Sequence, residues 1–113
     1  MRNALKLTTE GTLINLDLDA PEGSLKVLQG AVGGLVEAID ITKHVTLWVN
    51  EEGKLGGFEP NLVASWIYAQ NMGVADVVMG DVVFTGGVDD EGDTKGLPED
   101  LEVALRNIVK QIG

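Results

Sequence analysis

Residues 3–18, NALKLTTEGTLINLDL, decide how the rest of the chain is read. Leu5 and Leu7 alternate with Ala4, Lys6 and Thr8, and Glu10-Gly11 supplies a turn. Beyond it, Ile14, Leu16 and Leu18 alternate with Leu13, Asn15 and Asp17. A period of two on both sides of a glycine-containing turn predicts a β-hairpin, because successive side chains of a strand point to opposite faces.

Outward from this hairpin, Ala20-Pro21-Glu22-Gly23 breaks the second strand, and Ser24 is placed to cap a short helix by accepting from free N–H groups of its first turn. Leu25, Leu28 and Val32 share one stripe of that helix, and Gly33 can take the left-handed conformation that ends it. Residues 35–41 (LVEAIDI) and 45–50 (VTLWVN) read as strands, and the short link Thr42-Lys43-His44 makes them antiparallel neighbours. A polar turn, Asn50–Lys54, follows. Pro60 and Asn61 then open a second helix, LVASWIYAQNM, which ends at Gly73 with Leu62, Trp66 and Ala69 on one face. Residues 76–85 (DVVMGDVVFT) are rich in β-formers, interrupted at Gly80-Asp81 by a bulge or a tight link.

Residues 86–96 (GGVDDEGDTKG) are a loop without periodicity. In the last helix Pro98 suits the first position, and Glu99 and Asp100 complement the positive end of the dipole. Leu101, Leu105, Ile108 and Ile112 form an apolar stripe, Glu102 can pair with Arg106, and Lys110 lies near the negative end. The order ββ-α-ββ-α-β-α predicts an α+β fold in one domain over residues 1–113, with a small mixed or antiparallel sheet of about five strands and two or three helices on one face. Hairpin, helix, hairpin, helix, strand is the order of a β-grasp fold, with a ferredoxin-like or otherwise split sheet as the competitor. Residues 3–8 or 76–85 are expected to offer a free strand edge, and with it a route to a homo-oligomer.

Composition narrows the function. The 113 residues carry 18 Asp+Glu against 8 Lys+Arg, a formal charge of −10, with no Cys and one His. Disulfides, thiolate zinc sites, iron–sulfur ligation and cysteine nucleophiles are therefore excluded, and a single histidine, which supplies one ligand, argues against a zinc site. The scattered basic residues argue against a direct nucleic-acid binder, which needs clustered cations against phosphates. No run of about 18 apolar residues is present to cross a membrane. The N-terminus turns polar at Thr8, too early for a signal peptide, so a cytoplasmic location is expected.

No catalytic constellation stands out. His44 lies in a turn beside Lys43 without a nucleophile nearby in sequence, which reads as a solvated turn residue. Asp89-Asp90-Glu91-Gly92-Asp93 resembles part of a calcium loop, but Thr94 stands where the sharp turn needs Gly and a strand precedes it, so a solvated acidic loop is the better reading. The glycine runs 30–34 and 80–87 match no phosphate loop, since the first follows a helix rather than opening one. Neither a cofactor nor a metal is expected, and the chain reads as a non-enzyme.

Three stretches carry a resemblance: Asp17-Leu18-Asp19 through Leu25-Lys26-Val27-Leu28-Gln29-Gly30-Ala31-Val32-Gly33-Gly34, then Asn50-Glu51-Glu52-Gly53-Lys54-Leu55, and Gly80-Asp81-Val82-Val83-Phe84-Thr85-Gly86-Gly87. Together they resemble an uncharacterised domain family, a domain of unknown function, found largely in actinobacteria and their phages. The resemblance implies a phage or mobile-element accessory protein in the host-cell cytoplasm and carries over no catalytic residues. In that setting the acidity predicts a host or phage protein partner, with a basic surface, held by a negative face of Glu51, Glu52, Asp89, Asp90, Glu91 and Asp93. The alternative is a small-ligand module for a nucleotide or metabolite, built on the Asn50–Lys54 turn with Asn50, Lys54, Asn61, Asp81 and Thr85. There Trp48 or Trp66 would supply a stacking face, unless both tryptophans simply pack in the core.

Overall fold

A computed structural model describes residues 2–112. The first hairpin forms as expected, pairing β1 (Asn3–Leu7) with β2 (Leu13–Asp17) so that Leu5 lies opposite Asn15 and Leu7 opposite Leu13. Helix α1 (Ser24–Val32) follows. Ser24 is not its cap: Gly23 holds that position without any side-chain bond, and the Gly23 carbonyl accepts from Val27 N–H. The chain enters the helix at Gly23 with φ 91°, a conformation that glycine adopts freely, and this places Ser24 inside the first turn. At the other end Gly33 turns left-handed and returns its N–H to Gln29 O, as expected.

The second hairpin joins β3 (Val36–Thr42) to β4 (Val45–Asn50), with a register shift between Asp40 and Thr42. Helix α2 (Leu62–Met72) starts at Asn61, whose side chain accepts from Ala64 N–H as the sequence predicts. Its inner face, however, is Val63, Ala64 and Ile67, while Leu62 and Trp66 are 74% and 44% exposed. This helix is apolar on both sides, so residue spacing does not select the buried one. Its rotation is fixed by Asn61, which donates to Leu7 O and Gly80 O, both at 3.0 Å. The β-rich stretch 76–85 yields one short strand, β5 (Val82–Thr85), because Gly80 at φ 83° redirects the chain and Met79 pairs separately with Pro60. Helix α3 (Glu99–Ile112) runs as expected, but Val109 joins Leu105 inside and Ile112 is exposed.

The five strands form one sheet in the order β2-β1-β5-β4-β3, and every pairing is antiparallel, which gives an α+β fold. The segments expected to be free edges are internal: β1 lies between β2 and β5, and β5 between β1 and β4. All four residues of β5 are buried, a pattern that suits a central strand covered on both faces. The edges are β2 and β3. On one face Leu5, Leu7, Leu47, Val82 and Phe84 pack with Ile67 of α2 and with Leu105 and Val109 of α3. On the other, Ala4, Val83 and Trp48 pack with Leu28, Ala31 and Val32 of α1. Two helices thus cover one face and the third covers the opposite one. No helix among the described residues is long and apolar enough to cross a membrane.

Candidate functional site

Where β4 ends, the backbone folds into the turn 51–57, and a groove of about 470 Å³ opens between this turn, the edge strand β3, α2 and residues 76–79. Asn50 shapes the turn. Its side-chain carbonyl accepts from Glu52 N–H at 2.8 Å, while its amide donates to Val32 O at 3.1 Å and ties the turn to the end of α1. Gly53 N–H returns to Asn50 O, and a Cβ at Gly53 would sit 3.2 Å from both Asn50 O and Met79 O, so the turn presses close against the 76–79 segment. With these backbone groups satisfied, Glu51 and Glu52 remain exposed on the rim.

Ile39, Val49, Tyr68 and Val78 give the groove an apolar lining, and Glu37, Glu51, Glu52 and Asp76 give it carboxylates. Lys54 is the one cation among its lining residues, and its Nζ lies 2.6 Å from Asp76 Oδ1. The hydrogen bond from Lys54 holds the Asp76 carboxyl below the usual aspartate range, its charge and the Val77 N–H acting in the same direction against a smaller effect of desolvation. The groove therefore keeps a negative excess beside apolar surface. That combination suits a group with a cationic head and an aliphatic stem, as Lys and Arg side chains have.

The residues anticipated for a negative face do not converge. Glu51 and Glu52 follow the last residue of β4. The acidic loop follows β5 and lies at the other end of β4, where a Cβ on Gly87 would stand 2.9 Å from Lys43 O. Six residues of strand, roughly 17 Å along the chain, separate the two groups. Asp89, Asp90, Glu91 and Asp93 are all exposed, and Asp89 Oδ1 accepts from the N–H groups of Glu91 and Asp93, a self-contained turn near Arg2 and Lys95. Other carboxylates are already matched: Asp19 by Arg2 at 2.7 Å, Asp81 by Lys6 at 3.5 Å and Glu102 by Arg106 at 3.2 Å. The Arg2 hydrogen bonds also lower the Asp19 pKa.

Of the residues anticipated for a small ligand, only Asn50 and Lys54 line the groove. Asn61 is buried with its amide fully engaged. Thr85 is buried, accepting from Trp48 Nε1 at 2.8 Å and donating to Gly86 O. Asp81 belongs to a second hollow of about 340 Å³ near the end of α1, where it accepts from Thr9 N–H and faces Lys6. Neither tryptophan lines the groove: Trp48 packs on the α1 side and Trp66 stands partly in solvent. His44 is exposed in the β3–β4 turn. Among the described residues no group of three His, Asp or Glu is gathered closely enough to hold a metal ion.

Sequence reasoning missed Glu37 and Asp76, which come from distant segments and meet the turn only in three dimensions. It also missed Phe58, whose ring sits among three glycines. A Cβ on Gly56 would fall 2.6 Å from the ring, one on Gly80 3.3 Å and one on Gly33 3.8 Å. Each of the three glycine-rich words singled out in the sequence borders or supplies one of these positions, and that shared glycine content was the available signal.

A family model described as Domain of unknown function (DUF3846) matches residues 1–111. Neither a curated protein nor a solved structure matches the chain.

Proposed function

The chain belongs to the DUF3846 family, a domain of unknown function, and from that premise we propose that it is a non-enzymatic binding module whose groove beside Asn50–Lys54 receives a basic segment of a protein partner. One observation carries this reading: four carboxylates, from Glu37, Glu51, Glu52 and Asp76, share a lining with Ile39, Val49, Tyr68 and Val78, against the single cation Lys54. Carboxylates at the rim steer a basic partner and fix its orientation, and the apolar surface takes up the stems of its side chains. The setting we infer is that of a phage or mobile-element accessory protein acting on a host or phage protein in the cytoplasm. Within it, Glu51 and Glu52 are contact residues, and Asp89–Asp93 act at most as a separate contact at the far end of the sheet.

A second reading is favoured by the size of the groove, which falls within the range of small-molecule sites, about 300–1,000 Å³. Its charge selects among small ligands: a cationic metabolite fits beside these carboxylates, and the phosphates of a nucleotide do not.

The test is a titration of isotopically labelled protein with pentalysine amide and, as control, pentaglutamate, followed by amide chemical shifts. Pentalysine is expected to move amides of residues 51–55 and 76–79, and raising the salt should reverse the effect. Movement confined to residues 89–93, or none with either peptide, overturns the proposal.

A further inference from the structure

Strand β3 is an edge strand, and its outer row of backbone groups has no partner in the sheet. Which groups face outward follows from one bond. Glu51 N–H donates to Leu35 O at 2.8 Å, so Leu35, Glu37 and Ile39 direct their polar backbone groups toward β4. By the two-residue alternation of an antiparallel ladder, Val36, Ala38 and Asp40 direct theirs to solvent. Sheet edges are usually protected by Pro, Lys, an early bulge or a covering element. The sequence VEAIDIT has neither Pro nor Lys, and its register shift comes only after Asp40. The charges it does carry, Glu37 and Asp40, are both negative, and Glu37 shares the groove with Glu51, Glu52 and Asp76.

We propose that the β3 edge captures an extended, lysine- or arginine-bearing segment of the partner protein by strand addition. Backbone hydrogen bonds run to Val36, Ala38 and Asp40, and alternate cationic side chains of the added strand lie over the groove beside Glu37. This rests on the basic-partner reading above and specifies how the partner is held. Main-chain pairing gives affinity, while the groove reads every second side chain, as in other strand-addition complexes. Charge selects the occupant: a second copy of β3 would bring Glu37 and Asp40 to an edge that is already negative, whereas a basic strand neutralises it.

The probe is an acetylated, amidated octapeptide of alternating lysine and valine, compared with an analogue N-methylated at every second residue. Methylation removes the hydrogen-bonding row and keeps the charge. With the plain peptide, hydrogen exchange at the Val36, Ala38 and Asp40 amides should slow by about tenfold or more, and the analogue should give no such protection. Equal binding of both peptides without protection overturns strand addition and leaves the acidic groove standing. Binding of neither overturns both. Protection that grows with protein concentration in the absence of peptide shows pairing between copies and overturns the choice of occupant. Ala38→Pro deletes one outward N–H without removing a bond to β4, and should weaken the plain peptide by about tenfold while pentalysine still shifts residues 51–55. If that variant does not fold, Val36→Pro, at the first strand position, carries the same expectation.

Discussion

Lys54 Nζ and Asp76 Oδ1 stand 2.6 Å apart and join the two walls of the acidic groove, one contributed by the turn after β4 and the other by the segment that leads to Gly80. Both side chains are largely solvated, so this pair stabilises the fold little and acts mainly on the groove's shape and charge. The Asp76 carboxyl should titrate below the usual aspartate range. A carboxyl whose folded-state pKa is depressed contributes stability above its unfolded pKa and loses it as pH falls through the folded value. The pair should therefore persist at mildly acidic pH and open only below the ordinary aspartate midpoint. Carboxyl-carbon NMR of Asp76 measures this, and in Lys54→Met the midpoint should return upward. Unchanged titration in the variant would show that Lys54 is not the cause.

Asn61 combines three bonds in one buried side chain, capping α2 through Ala64 N–H and donating to Leu7 O and Gly80 O. Asn61→Ala loses a helix cap, about 1 kcal/mol, and the two hydrogen bonds donated to buried carbonyls, roughly 1 kcal/mol each. Asn61→Asp keeps the cap acceptor but not the donor, and places a charge among carbonyl oxygens. Urea denaturation should rank wild type above both variants, and Asn61→Asp fully as stable as wild type would contradict the role given to the amide donor.

Phe58 and Gly56 are packed so closely that a methyl group on the glycine requires the ring to move. Gly56→Ala should destabilise by roughly 1–3 kcal/mol, as overpacking does. Gly80→Ala adds backbone strain to a contact of 3.3 Å, because Gly80 has φ 83°. Combining Gly56→Ala with Phe58→Leu should recover part of the loss, whereas no recovery is expected with Gly80→Ala from the backbone component. Thermal melts of the two double-mutant cycles separate the cases.

The two tryptophans should report different environments. Trp66 is 44% exposed on the outer side of α2, whereas the Trp48 indole donates to buried Thr85. Trp66→Phe should leave blue-shifted emission that acrylamide quenches weakly and change stability by about 0.5 kcal/mol or less. Trp48→Phe should leave red-shifted, readily quenched emission and cost about 1 kcal/mol through the lost hydrogen bond. Identical quenching of both variants would contradict this placement.

Local pattern made much of the fold legible. The alternation around Glu10-Gly11 gives the first hairpin, VTLWVN gives β4, and Asn61 marks the start of α2, because each depends on residues adjacent in the chain. Strand order is different in kind. Nothing local to residues 3–8 or 82–85 says that each has a strand on both sides. The inner face of α2 was hidden for a related reason, since Leu62 and Trp66 are as apolar as Val63 and Ile67, and the choice is made by Asn61 reaching Leu7 and Gly80. Charge misled most. Glu51, Glu52 and residues 89–93 look like one acidic population in the sequence, yet β4 holds them apart, and the groove acids Glu37 and Asp76 stood in segments with no motif to mark them.

The central pairing of β1 with β5 sets Leu5 opposite Phe84, about eighty positions later in the chain. Each hairpin can close quickly by itself, but only β5 zips the two together, and that contact requires a large loop to be closed first. During synthesis the two hairpins would wait on the ribosome as separate half-sheets, each with an inner flank open, until residues 82–85 emerge from the exit tunnel. Assembly of this sheet therefore waits on β5, and a stall before it would present exposed strands to chaperones and proteases.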